Sequence, residues 1–109
     1  MTELSLSLAD ERLRQVAHAR RRLLERYGLF CSERDLEVLA ALARRYGVSV
    51  PGGAVYRARW LDVPFRAVTV RCCLDDVTEM VSTVIPAGDE PPVPRNRSRG
   101  TARPTAMWR

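Results

Sequence analysis

Apolar and polar positions in the first third of the chain recur at helical spacing. Leu13, Val16, Ala17, Leu24 and Tyr27 fall on one stripe, and Arg14, His18, Arg21, Arg22 and Glu25 on the opposite face. Ser7-Leu8-Ala9-Asp10 has the serine-to-acid spacing of a capping box, which places the helix start near Leu8. Ahead of it Leu4, Leu6 and Leu8 alternate with Ser5 and Ser7, as a short strand or as a lead-in to the helix. Gly28 is expected to end the helix in the left-handed conformation, with Leu29 closing over the last turn. Arg20 interrupts the apolar stripe. It is expected to bury its stem and pair with an acid such as Asp75 or Glu79.

Ser32-Glu33-Arg34-Asp35 repeats the capping logic, with Cys31 before the cap stapled to Leu36. Leu36, Leu39, Ala40, Ala43 and Tyr46 form the second stripe, and Gly47 is expected to end this helix as Gly28 ends the first. Short connections set the helices side by side and antiparallel.

Pro51-Gly52-Gly53 then breaks the chain. Ala54 to Trp60 alternates as a strand, Leu61-Asp62-Val63-Pro64 reads as a turn, and Phe65 to Cys73 as the next strand. Asp75-Asp76 marks another turn before Thr78 to Ile85, which Pro86 stops. The expected fold class is α+β: two antiparallel helices packed on a three- to four-stranded antiparallel sheet. That domain covers residues 1–86. Residues 87–109 change composition to a basic, proline- and arginine-rich tail with a tryptophan at 108, expected to be disordered unless bound.

With 109 residues there is at most one domain, and its core is thin enough that a partner or a homodimer would help it. The apolar runs are too short to span a bilayer, and the start at Met1-Thr2-Glu3 has neither the basic region nor the apolar core of a signal peptide. A cytoplasmic protein of a bacterial or phage-infected cell is expected. All 18 basic residues are arginine, as a GC-rich genome favours, and the net charge is +5. Guanidinium groups grip phosphates and carboxylates in a forked geometry, so an anionic partner is expected, either RNA or an acidic protein surface. Neighbours on a strand point to opposite faces, so Cys72 and Cys73 are not expected to pair. One histidine and no Cys-x-x-Cys spacing exclude a zinc site, and no cofactor is indicated.

Candidate site residues follow from charge. Arg57, Arg59 and Arg71 are expected on one sheet face as an anion-binding surface, or as a solvated one. Arg14, Arg21 and Arg22 add a basic helix face, and Arg95, Arg97 and Arg99 a tail that grips phosphate without sequence readout. His18 is the only imidazole. It reads either as a general base or as a surface residue beside an Arg21–Glu25 ion pair.

The run His18-Ala19-x-x-Arg22-x-x-Glu25-Arg26-Tyr27-Gly28-Leu29, a capped second helix and a meander ending Thr83-Val84-Ile85-Pro86 resemble the RelE/ParE and BrnT superfamily of small phage and plasmid toxins. The resemblance covers His18 to Pro86. It implies helices on a small antiparallel sheet and a possible antitoxin partner. For the members that cut mRNA, it implies metal-independent attack by a ribose 2′-hydroxyl on the adjacent phosphate, held by sheet-borne basic residues. This chain departs from the pattern in two places. No tyrosine or histidine follows the last strand, and Cys72-Cys73-Leu74-Asp75 stands where a Tyr-Asp pair often ends the middle one. A non-catalytic phage or mobile-element protein that binds and inhibits a host protein, or serves as a virion subunit, is the alternative.

Overall fold

A computed structural model describes residues 2–92, with side chains from residue 7 onward. Two helices, α1 (Thr2–Tyr27) and α2 (Glu33–Tyr46), precede four strands, β1 (Val48–Val55), β2 (Ala58–Phe65), β3 (Val68–Asp75) and β4 (Val81–Ile85). The strands pair antiparallel in chain order, so β1 and β4 are the sheet edges. The architecture is the α+β one expected. Arg95, Arg97 and Arg99, with the rest of the chain from residue 93, lie outside the described residues.

Helix α1 starts at Thr2, so Leu4 to Leu8 is helical rather than a strand or a lead-in. Its rotation also differs from the expected one. Val16, Ala19 and Leu23 enter the core with Tyr27 packed against it, whereas Leu13 is 60% exposed and Leu24 40%. The apolar residues alone allow either rotation. The choice falls to polar side chains that find partners only when this side of the helix faces the sheet. Gln15 is buried between Thr78, whose hydroxyl donates to Gln15 Oε1 at 2.6 Å, and Asp75, which accepts from Gln15 Nε2 at 2.9 Å. Arg12 Nε donates to the Thr78 carbonyl at 3.0 Å.

Gly28 closes α1 as expected, at φ +68°, with the Leu29 amide donating to the Leu23 carbonyl at 3.3 Å and the Gly28 amide to that of Leu24 at 3.0 Å. Ser32 and Asp35 form the reciprocal capping box of α2. Leu36, Leu39, Ala40 and Ala43 are buried, but Tyr46 is exposed, outside the expected stripe. Gly47 ends α2 differently from Gly28. Its backbone is extended (φ −64°, ψ 139°), and glycine is required there by space, because a Cβ would stand 2.5 Å from the Ala43 carbonyl oxygen and 3.1 Å from Leu61 Cβ.

The strand boundaries move because two hairpin turns lack the usual turn residues. Tyr56-Arg57 joins β1 to β2 and Arg66-Ala67 joins β2 to β3. Positive φ angles fall on Arg57 (63°), Arg66 (52°) and Ala67 (65°), where glycine or asparagine is the ordinary signal. The stretch expected as one strand, Ala54 to Trp60, therefore spans a turn. The expected turn Leu61–Pro64 lies inside β2, and Pro51-Gly52-Gly53 sits in an irregularity of β1 between Ser49 and Ala54 rather than ahead of it. Arg66 is held in its turn by Asp35 (2.7 Å), by the Phe30 carbonyl (2.6 Å) and by stacking on Phe65.

Alternation along β2 and β3 divides the apolar residues between two cores. Leu61, Val63, Phe65, Val70, Cys72 and Leu74 join the helices, whereas Trp60, Cys73, Val50 and Ile85 form a smaller cluster on the reverse face. The three cysteines are free and buried, with Cys72 and Cys73 in different cores as expected. Burial pushes the Cys72 thiol up to about 12, so it stays protonated.

Helix α1 packs chiefly on β4, and α2 on β2. Arg26 Nη1 donates to the Val84 carbonyl at 2.7 Å. The Tyr27 hydroxyl donates to the Ile85 carbonyl at 2.6 Å and accepts from the Arg71 amide at 3.0 Å, bridging a pair of residues in register across β3 and β4. Removing that hydroxyl orphans a donor and an acceptor. Tyr27→Phe is expected to lower stability by about 1–2 kcal/mol, read as an earlier urea midpoint at unchanged slope. Ala67→Gly is expected to act oppositely, raising stability by up to about 1 kcal/mol, because it relieves a left-handed alanine. Thermal melts of the two variants beside the parent protein check both signs.

Candidate functional site

Convergence of Arg57, Arg59 and Arg71 on one face is not what the fold produces. Arg57 occupies the β1–β2 turn, where its guanidinium stacks over the Tyr56 ring at 5.7 Å. Arg59 pairs in register with Leu74 and Arg71 with Asp62, so alternation puts Arg59 and Arg71 on opposite faces. Each also has a carboxylate partner. Arg59 Nε lies 3.1 Å from Asp76, and Arg71 donates to both Asp62 oxygens at 2.8 Å and to the Asp89 carbonyl at 2.7 Å. The bidentate guanidinium holds the Asp62 carboxyl below its ordinary range. The β2–β3 connection has an even number of residues, so odd positions of one strand pair with even positions of the other, and Arg59 and Arg71, both odd, take different faces.

Many of the remaining arginines are also engaged. Arg12, Arg20, Arg26, Arg44, Arg66 and Arg71 each donate to a backbone carbonyl, at Thr78, Cys31, Val84, Glu79, Phe30 and Asp89. Arg20 thus ties α1 to the α1–α2 connection, not to Asp75 or Glu79 as expected. Arg14 pairs with Glu11, and Glu25 takes Arg22 at 2.7 Å rather than Arg21. Arg21 lines a surface cleft with Leu24 and Phe30.

Around His18 positive charge exceeds negative, with Arg21, Arg22 and Arg26 set against Glu25. His18, Arg22 and Arg26 stand four residues apart along α1, on the flank that meets β4. His18 is partly buried, and its Nε2 lies 3.2 Å from the Thr83 hydroxyl. Its surroundings lower its pKa below 6.5: desolvation first, then the charges of Arg22, Arg21 and Arg26, opposed only by Glu25. An unprotonated imidazole beside guanidinium groups can accept a proton from a hydroxyl while an anion is held next to it. Sequence reasoning named His18 and Arg22. It missed Arg26 and Thr83 because their roles depend on how α1 lies against β4.

Among the described residues no three His, Cys, Asp or Glu side chains gather as a metal site would require, and no helix is long and apolar enough to cross a membrane.

Because folding lowers the His18 pKa, the unfolded chain binds the proton more tightly than the folded one. Stability is therefore complete above pH 6.5 and falls as the pH drops through 6.5 toward the folded-state value. The carboxylates with lowered values, Asp35, Asp62 and Asp75, titrate below 3.8 and leave that window clear. His18→Gln is expected to abolish the loss of stability between about pH 7 and 5.5, measured as urea midpoints across the range.

No protein-family model, no curated protein and no solved structure matches this chain.

Proposed function

We propose that this protein binds an anionic macromolecule, RNA in our reading, along the flank of α1 that carries His18, Arg22 and Arg26, in the cytoplasm of a bacterial or phage-infected cell. One observation carries it: His18 lies in the field of three guanidinium groups and one carboxylate, so net positive charge persists there while most other arginines are spent on carbonyls and carboxylates. Guanidinium groups spaced along a helix flank meet successive backbone phosphates without reading bases. In the toxin-like form of this reading, His18 takes the proton of a ribose 2′-hydroxyl as that oxygen attacks the neighbouring phosphate. The bond to the 5′-oxygen breaks, leaving a 2′,3′-cyclic phosphate, and water protonates the departing 5′-oxygen. Arg22 steadies the negative charge that develops, and no metal is needed. The resemblance to the RelE/ParE and BrnT toxins belongs to the same proposal, since its motif residues His18, Arg22, Arg26 and Thr83 form this flank.

Fluorescence anisotropy with a short single-stranded RNA over a salt series tests it. Arg22→Gln is expected to weaken binding several-fold and to flatten the dependence of log K on log salt by about 0.7, the share of one phosphate contact. His18→Gln keeps binding and stops any cleavage seen on a gel. A protein that binds no RNA at low salt, or an Arg22→Gln variant with unchanged affinity and salt slope, overturns the reading.

A further inference from the structure

The other flank of α1 is apolar and uncovered. Leu13, Ala17 and Leu24 follow one another along it at helical spacing, and Phe30 just beyond the helix is 79% exposed. Together with the α2 side chains beside them they border two clefts. One, of about 320 Å³, is lined by Ala17, Arg21, Leu24 and Phe30 among others, and the other, of about 300 Å³, by Leu13 with Glu33, Glu37 and Arg12, the last tied to the Thr78 carbonyl. The groove is therefore apolar along its length, basic toward the end of α1 and acidic toward its middle. Among the described residues Arg21, Glu33 and Glu37 have no ion-pair partner.

We propose that this groove is the seat of a second copy of the chain, in a two-fold dimer whose α1 helices cross antiparallel near Ala17. A two-fold axis there brings the basic end of each groove against the acidic part of the other, Arg21 of one copy facing Glu33 and Glu37 of the next. The same operation sets Leu13 of each copy on the stem of Arg21 of the other, and Leu24 and Phe30 close over the earlier turns of the second copy's α1. Both ends are satisfied at once, as a self-complementary interface requires. A uniformly acidic partner meets Arg21 but sets like charge against Glu33 and Glu37, and a uniformly basic one has the reverse fault. Ala17, with a single methyl group at the crossing, permits close approach of the helix axes. An uncovered large aromatic beside exposed leucines is the ordinary mark of such a face, and a domain this small gains from the added burial. This inference does not rest on the RNA reading: His18, Arg22 and Arg26 lie on the opposite flank of α1, and Arg21 is common to both through its charge near His18.

Sedimentation equilibrium of the full chain tests it. The parent protein is expected to run as a dimer and Leu24→Asp as a monomer with an unchanged far-ultraviolet circular dichroism spectrum, the exposed position leaving the fold intact. Arg21→Glu and the double variant Glu33→Arg/Glu37→Arg are each expected to self-associate about tenfold more weakly or worse. Mixed in equal amounts, those two regain the dimer mass, because each charge reversal then faces its complement. A monomeric parent at every attainable concentration overturns the proposal. So does a dimer that survives Leu24→Asp, or a mixture that stays monomeric.

Discussion

A five-residue edge strand exposes backbone groups that must find partners or remain open to another chain, and in this protein α1 answers that requirement for β4. Arg26 reaches the Val84 carbonyl, Tyr27 bridges Ile85 and Arg71, and His18 meets Thr83. Together with the Gln15, Thr78 and Asp75 network at the other end, these contacts fix the rotation of α1 about its own axis. Much else follows from that rotation. It sends Val16, Ala19 and Leu23 inward, leaves Leu13, Ala17 and Leu24 outside, and concentrates charge on the flank beside β4. Buried polar groups left unpartnered cost more than exposed leucines do, so the polar side chains decide between the two apolar stripes.

Arginine does structural work throughout this chain. A guanidinium offers several donors on a long stem, so it can leave a helix or strand and close a carbonyl that a turn or helix end would leave open. Six arginines do so here, at the α1–α2 connection, the β3–β4 loop, β4 and the segment after it. Residues 2–92 hold thirteen arginines and all thirteen carboxylates, so the formal net charge of +5 comes from residues 93–109 and says nothing about where the described domain could hold an anion. What matters is where charge exceeds its internal partners, and that condition is met around His18.

The two motifs that carry the resemblance, His18 to Leu29 and Thr83 to Pro86, meet in space as helix and edge strand. Several of their residues, Arg26, Tyr27, His18 and Thr83, are the clamp itself, so these two segments have a structural role before any chemical one. A flank built for support can still bind an anion, as the proposal requires, because Arg22 takes no part in the clamp and faces only Glu25.

Local chemistry was legible wherever neighbours in sequence are neighbours in space. The capping box of α2, the left-handed glycine closing α1, the α2 core residues and the opposed cysteines could all be read from the chain, since each depends on a few residues and backbone geometry. The α+β class followed from the order of helical and alternating patterns. The hairpin turns were hidden because Arg57, Arg66 and Ala67 hold left-handed conformations that composition does not announce, and long-range contacts such as Asp35 with Arg66 sustain them. Each missed turn moved strand boundaries, while the register across β2 and β3 pairs odd with even positions and so separates Arg59 from Arg71. The rotation of α1, the pairing of Arg71 with Asp62 and the setting of His18 arise between segments distant in sequence. Only the tertiary structure could decide them, because a side chain's preference for one neighbour over another exists only once folding has brought both within reach.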